Sequence, residues 1–314
     1  MRVPARARAD RHAAVDQDVR AGDERGILAG EIGDGRGDVL RAAGALDRLR
    51  LGGNGRGGNI GILAEAGGST FAVTNDVLLS ADGIGAAGLG CITCAFDGGA
   101  GQGGAIFIGS TAATTGNSIS TANLALSAFS RGGNSQVGTG GSGTGGSVVI
   151  AGSGFALNTA SLTVAAVAYG GDALGTNTAG AAQGGDARIN LGTGTTLGTG
   201  VVSLITSAYG GGNADPGGLG GAGTGGVSSL ISTGGNATIS DVISLQADGN
   251  GGLGDFGSSL GVGGNGKGGS VFLSAGSEGA GNSGNGGSIT NGISAGTLIV
   301  SFLGALIRSE EHTS

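Results

Sequence analysis

Cys91-Ile92-Thr93-Cys94 holds the only two cysteines of the 314-residue chain, at a spacing that suits a disulfide, a redox dithiol or half of a zinc site. Zinc needs a second pair of cysteines or histidines, and residues 51–307 contain no histidine. A redox dithiol needs a thioredoxin-like βαβ setting, which the glycine-rich flanks do not supply. What remains for Cys91 and Cys94 is a local disulfide in an exported protein, or two small buried hydrophobes. No metal site and no cofactor are expected.

Asp82, Asp97, Asp172, Asp215, Asp248 and Asp255 all lie near glycines, the setting of calcium-binding turns. The calcium β-roll places its aspartate sixth in Gly-Gly-x-Gly-x-Asp, whereas Gly251-Gly252-Leu253-Gly254-Asp255 puts it one place early. These residues read as solvated turn aspartates. Without a histidine in residues 51–307 there is no Ser-His or Cys-His pair to activate a nucleophile, so catalysis would have to rest on paired carboxylates. Gly-x-Gly-x-x-Gly strings recur, but a phosphate loop must open a helix and no helical pattern follows. Arg36-Gly37-Asp38 spells a tripeptide that some adhesins use, and in so Arg-, Gly- and Asp-rich a segment it arises by composition alone.

Such side chains need elements to position them, and composition limits the choice. Glycine contributes 78 residues and proline 2, which excludes collagen. A mean hydropathy of +0.21 and a net charge of only -7 set the chain apart from disordered polymers. Lys267 is the sole lysine, so nucleic acid is not an expected partner. The longest apolar stretch, residues 296–307, is too short for a membrane helix, and no membrane insertion is expected from this segment. Residues 1–50 carry no apolar core of the signal-peptide kind.

The strongest organisation is a repeat. Gly-Gly doublets ending at Gly58, Gly104, Gly146, Gly185, Gly226 and Gly269 recur every 39 to 46 residues, about 42 on average. After each doublet alternate positions are apolar: Ile60 and Ile62, Ile106 and Ile108, Val148 and Ile150, Ala187 and Ile189, Val271 and Leu273. The fifth repeat departs, with Ser228 before Leu230. A second alternating segment follows, as in Leu124, Leu126, Ala128 and Leu162, Val164, Ala166, with its inward side chains shrinking to alanine. Period-two alternation predicts strands, and the repeat predicts an all-β parallel solenoid with the glycines mostly in turns. Two strand signals per repeat imply two coils of about 21 residues each, hence about twelve coils and a rod of roughly 60 Å. Tyr169 and Tyr209, each directly before a Gly-Gly, test this winding: they stack at about 4.8 Å with one coil per repeat and stand about 10 Å apart with two.

Composition breaks at both ends of the repeats. Residues 1–50 hold 10 of the 15 basic and 9 of the 22 acidic residues, the texture of a disordered arm or of a GC-rich stretch translated out of frame. Arg308-Ser309-Glu310-Glu311-His312-Thr313-Ser314 resembles the translation of a common sequencing-library adapter. The expected organisation is therefore a charged leader at 1–50, solenoid repeats at 51–307 and an artefactual tail at 308–314, with the natural protein continuing beyond Ile307.

Gly-Gly-Asn-Gly-Arg-Gly-Gly-Asn-Ile-Gly-Ile-Leu at 52–63, Gly-Thr-Gly-Gly-Ser-Val-Val-Ile at 143–150 and Gly-Lys-Gly-Gly-Ser-Val-Phe-Leu at 266–273 resemble the repeats of filamentous-haemagglutinin-like, autotransporter-type bacterial exoproteins. That resemblance implies a right-handed β-helix, an extracellular or cell-surface location, and a non-enzymatic adhesin role toward an unknown receptor, matrix or host surface. The glycine-rich run 210–226 also resembles mycobacterial PE/PGRS proteins, although apolar strands interrupt the glycines here. Right-handed β-helices include polysaccharide-cleaving enzymes, so a carbohydrate-active enzyme stands as the other alternative.

Overall fold

The computed structural model describes residues 52–63, 68–88, 96–110, 115–213, 215–254 and 262–275, with the backbone of three further strands, Ser288–Asn291, Thr297–Ser301 and Gly304–Ala305. All of them lie in the second of the two units into which the chain divides, residues 32–314. Among the described residues there is no helix, and every strand pairing is parallel.

One repeat shows the plan. Ala105–Gly109 and Asn117–Ser127 are strands with alternating burial, and their inward residues Ile106, Ile108, Ile119, Leu124 and Leu126 are at most 2% exposed. These two strands face each other and form a hydrophobic body, where each fully buried aliphatic side chain contributes about 1.5–3 kcal/mol. Two shorter strands follow in the same repeat, Ser130–Arg131 and Gly143–Thr144. They also face each other, but with only glycine, alanine and one serine turned inward, and form a thin blade beside the body. Each of the four strands stacks on its counterpart from the next repeat, giving four parallel sheets.

The register corrects the two-coil winding. Gly143 pairs with Gly101 on one side and Ala182 on the other, and Val148 pairs with Ile106 and Ala187, so neighbours in a sheet are one repeat apart. Each repeat makes one coil. The stretch between aliphatic strands is the blade rather than loop, and its strands are hidden from periodicity because they present no alternation of large and small side chains.

The blade explains the glycines. Backbone N–H groups that do not bond along the stack bond across it, from one blade wall to the other. Gly133 donates to Gly99, Gly141 to Gly133, Gly171 to Gly141 and Gly180 to Gly171, each at 2.8 Å. The zigzag continues through Gly211, Gly221 and Gly252 to Gly264, and begins with Gly99 donating to Ala86 and Ala86 to Gly53. The walls are so close that a β-carbon on Gly132, Gly170 or Gly210 would stand 1.9 Å from a carbonyl oxygen of the facing wall, and one on Gly133, Gly180 or Gly221 would stand 1.9 Å from a carbonyl oxygen of the preceding coil. Ala86 is the single exception in the ladder. It occupies the first described coil and is exposed, so its methyl group meets no earlier wall.

The doublets sit where blade joins body. From the second doublet on, the second glycine donates to the carbonyl of an inward small residue, as in Gly146 to Ala128, Gly185 to Ala166 and Gly226 to Thr206, all at 2.8 Å. This convergence of the walls is why the inward column shrinks from leucine to alanine. None of the doublet glycines has a positive φ; that role falls to others, such as Gly116 (φ 82) and Gly194 (φ 74) in bends. The expectation that the glycines lie mostly in turns is thus corrected: many lie within or beside strands, because two backbones must touch there.

Two polar residues depart from the rule together. Ser228, where other repeats place an aliphatic residue, and Thr206, where they place alanine, are both fully buried and lie 3.1 Å apart through their hydroxyl oxygens. Ser228 also donates to the Gln246 carbonyl at 2.8 Å.

Two stability predictions follow from this geometry. Gly61, whose β-carbon would meet nothing, should accept alanine with a gain of about 0.5 kcal/mol, whereas Gly221→Ala should lose at least about 3 kcal/mol in urea unfolding. Ser130 is buried and its hydroxyl has no partner, while alanine fills the same register position as Ala168 and Ala208. Ser130→Ala should therefore raise stability by about 1 kcal/mol, seen as a higher melting temperature.

Candidate functional site

Several of the sequence candidates fall outside the described residues: Cys91 and Cys94 with their disulfide, Arg36-Gly37-Asp38, and Asp255. Among the described residues no group of three or more His, Cys, Asp or Glu side chains stands close enough to hold a metal ion.

Of the five that remain, Asp82, Asp97, Asp172 and Asp215 do structural work beyond their reading as solvated turn aspartates. Asp82 accepts from the Ser127 hydroxyl at 2.7 Å and the Phe129 N–H at 2.9 Å, both one coil away. Asp97 accepts from the Thr139 N–H at 2.7 Å, Asp172 from Gly212 at 2.8 Å and Asp215 from Gly175 at 2.6 Å. Asn54 and Asn134 play the same part toward Ala100 and Asp172. Each side chain ties the backbone of an adjacent coil at a bend where strand pairing gives out, so these carboxylates are spread over separate coils instead of converging.

The tyrosines settle their own test. The Tyr169 and Tyr209 rings stack 4.8 Å apart with planes inclined by 16°, as the one-coil winding requires. Phe129 leans on Tyr169 at 5.5 Å. Because the rings cover each other's faces and are only 38% and 37% exposed, the column offers edges to a ligand rather than an open stacking platform. Burial, and then repulsion from Tyr209, raise the Tyr169 hydroxyl above its ordinary pKa of 10.0, while Arg131 opposes the rise. A raised folded-state pKa means the unfolded chain ionises first. Stability is thus fully present below about pH 10 and falls as pH climbs toward the folded-state value. Tyr169→Phe should flatten that alkaline decline, measured as melting temperature between pH 9 and pH 11.

A groove of about 380 Å³ runs along the stack in the corner between blade and body. Its floor is the glycine doublets. One wall is the column Arg56, Gln102, Thr144 and Gln183; the other is Asn59, Ala105, Ser147 and Asp186. Asp186 is held by the Arg188 guanidinium at 3.1 Å. A second hollow, shallower and about 440 Å³, lies over the bend in the long strands, beside Thr121, Thr159 and Thr199. Those three threonines turn inward; Thr159 and Thr199 donate to their own strand's backbone, as in Thr199 to the Val201 carbonyl at 3.0 Å, while Thr121 bonds the Thr159 hydroxyl at 3.2 Å.

The sequence did carry a signal for the groove: the residue directly before every doublet is polar, namely Arg56, Gln102, Thr144, Gln183, Thr224 and Lys267. Only the one-coil register turns that list into a column. The described part of the chain is therefore an all-β stack of parallel strands whose surface is organised in such columns. No protein-family model, curated protein or solved structure matches the chain.

Proposed function

We propose that this chain is a structural and interaction segment of an exported bacterial surface protein. It winds as a right-handed parallel β-helix of repeats about 42 residues long, the hand that parallel crossovers adopt in nearly all sheets. The resemblance of its repeats to filamentous-haemagglutinin-like exoproteins points the same way, toward an extracellular adhesin or spacer facing a host surface or matrix.

The observation that carries the reading is the backbone ladder from Gly53 to Gly264. It holds the blade together without side chains, which leaves the outward columns of every coil for contact with a partner. Paired-carboxylate catalysis gains no support from the aspartates, since Asp82, Asp97, Asp172 and Asp215 are each engaged with backbone N–H groups.

Fractionation of bacteria expressing the natural gene with an epitope tag in the repeats tests the proposal. The tag should appear in the medium or on the surface, open to protease added to intact cells. Confinement to the cytosol overturns it.

A further inference from the structure

The corner groove has a chemistry narrow enough to name its ligand. It runs along the stacking axis across four coils, so it fits something long and extended. Among the side chains of its walls only Ala105 lacks a polar group; the rest carry amides, hydroxyls or charges. The charged members sit in the outermost of those coils, Arg56 in the first and Asp186, already paired with Arg188, in the fourth. Between them the wall alternates amide and hydroxyl, Gln102, Thr144, Gln183, and the register extends the alternation to Thr224. With a coil step of about 4.8 Å, like groups recur every ~10 Å.

Rival ligands fail on this chemistry. A peptide that adds as a strand needs a free backbone edge, but here the N–H groups are taken: Gly103 donates to Thr144 and Gly145 to Gln183 within the wall, and Gly146 crosses to Ala128. An amphipathic helix needs an apolar trough. A nucleic acid or sulfated polymer needs a row of cations, and this column offers Arg56 and, two coils past the groove, Lys267.

We infer that the groove binds a linear, uncharged, polyhydroxylated polymer, an extended glycan lying along the stack. A sugar unit is about as long as one coil step, so a ribbon-like β-linked chain presents equivalent hydroxyl edges at every second unit, in phase with the glutamines. The glycine floor lets a sugar face approach the backbone closely, with no side chain in the way. This inference deepens the interaction reading above and rests on it by giving its unnamed partner a chemical class.

Isothermal titration calorimetry of the full chain with cellohexaose and chitohexaose provides the test, with glucose, heparin and an extended hexapeptide run in parallel. At least one hexaose should bind in the high-micromolar to millimolar range, far more tightly than glucose. Gln102→Ala with Gln183→Ala, both exposed and outside the glycine ladder, should weaken it about tenfold or more with an unchanged far-UV circular dichroism spectrum. Should that double variant melt early, Gln183→Ser replaces it, with a smaller loss expected. Silence from both hexaoses, equal binding by the variants, or binding of heparin or peptide alone overturns the inference. Such a result from a folded chain leaves the scaffold reading standing. Conversely, a cytosolic location sinks the scaffold reading without changing the calorimetry.

Discussion

A hydrogen bond between two facing backbones is the constraint on which this molecule depends. In most sheets a strand spends its N–H and C=O groups on two neighbours in one plane, and side chains fill the space to the next layer. In the blade that space does not exist: Gly171 bonds to Gly141 across the wall while Gly170 bonds to Tyr209 along it. The strands are thus cross-linked in two directions. The conformational cost of so much glycine, about 0.5–1 kcal/mol for each residue relative to alanine, is offset by bonds that a residue with a side chain reaches only where the adjacent level is open, as at Ala86. The body depends on the blade in turn, because the second glycine of each doublet fixes how closely its two sheets converge, and that distance sets the size of the inward residue.

How far the sequence revealed this depended on whether side chains marked each element. The body strands were legible because Ile106 and Ile108, or Leu162 and Val164, alternate with outward residues, and that alternation leaves a clear period. The blade was not. Gly143–Thr144 and Ser130–Arg131 are too short for a period, and glycine signals turns and close contacts equally well. Counting strand signals therefore halved the true number of strands and doubled the number of coils. The Tyr169–Tyr209 pair exposed the error because its spacing depends on winding alone. For the candidate site, residue types were plain while their alignment was not: Gln102 and Gln183 lie two repeats apart in the chain, and only the register makes them part of one wall.

Departures from the pattern show which rules are strict. Ser228 and Thr206 enter the core as a pair that answers each other's hydroxyls, so the body accepts polarity when it is matched. Ser130 enters the blade without a match and stands as a local defect. Ala86 is tolerated in the ladder only where the adjacent level is open.

The nearly side-chain-free interior of the blade also shapes how such a protein can change over generations. Ordinarily a surface residue shares a strand with core residues, and its replacement is felt through packing. Here the outward column at Arg56, Gln102, Thr144 and Gln183 is backed by glycine, main chain and the one methyl group of Ala182, so its identity is nearly uncoupled from folding. A lineage that kept the glycines could rewrite that column residue by residue and meet a new surface with the same frame. Selection would then leave two contrasting records in one coil: glycine codons that resist any substitution, each next to a position free to drift or adapt.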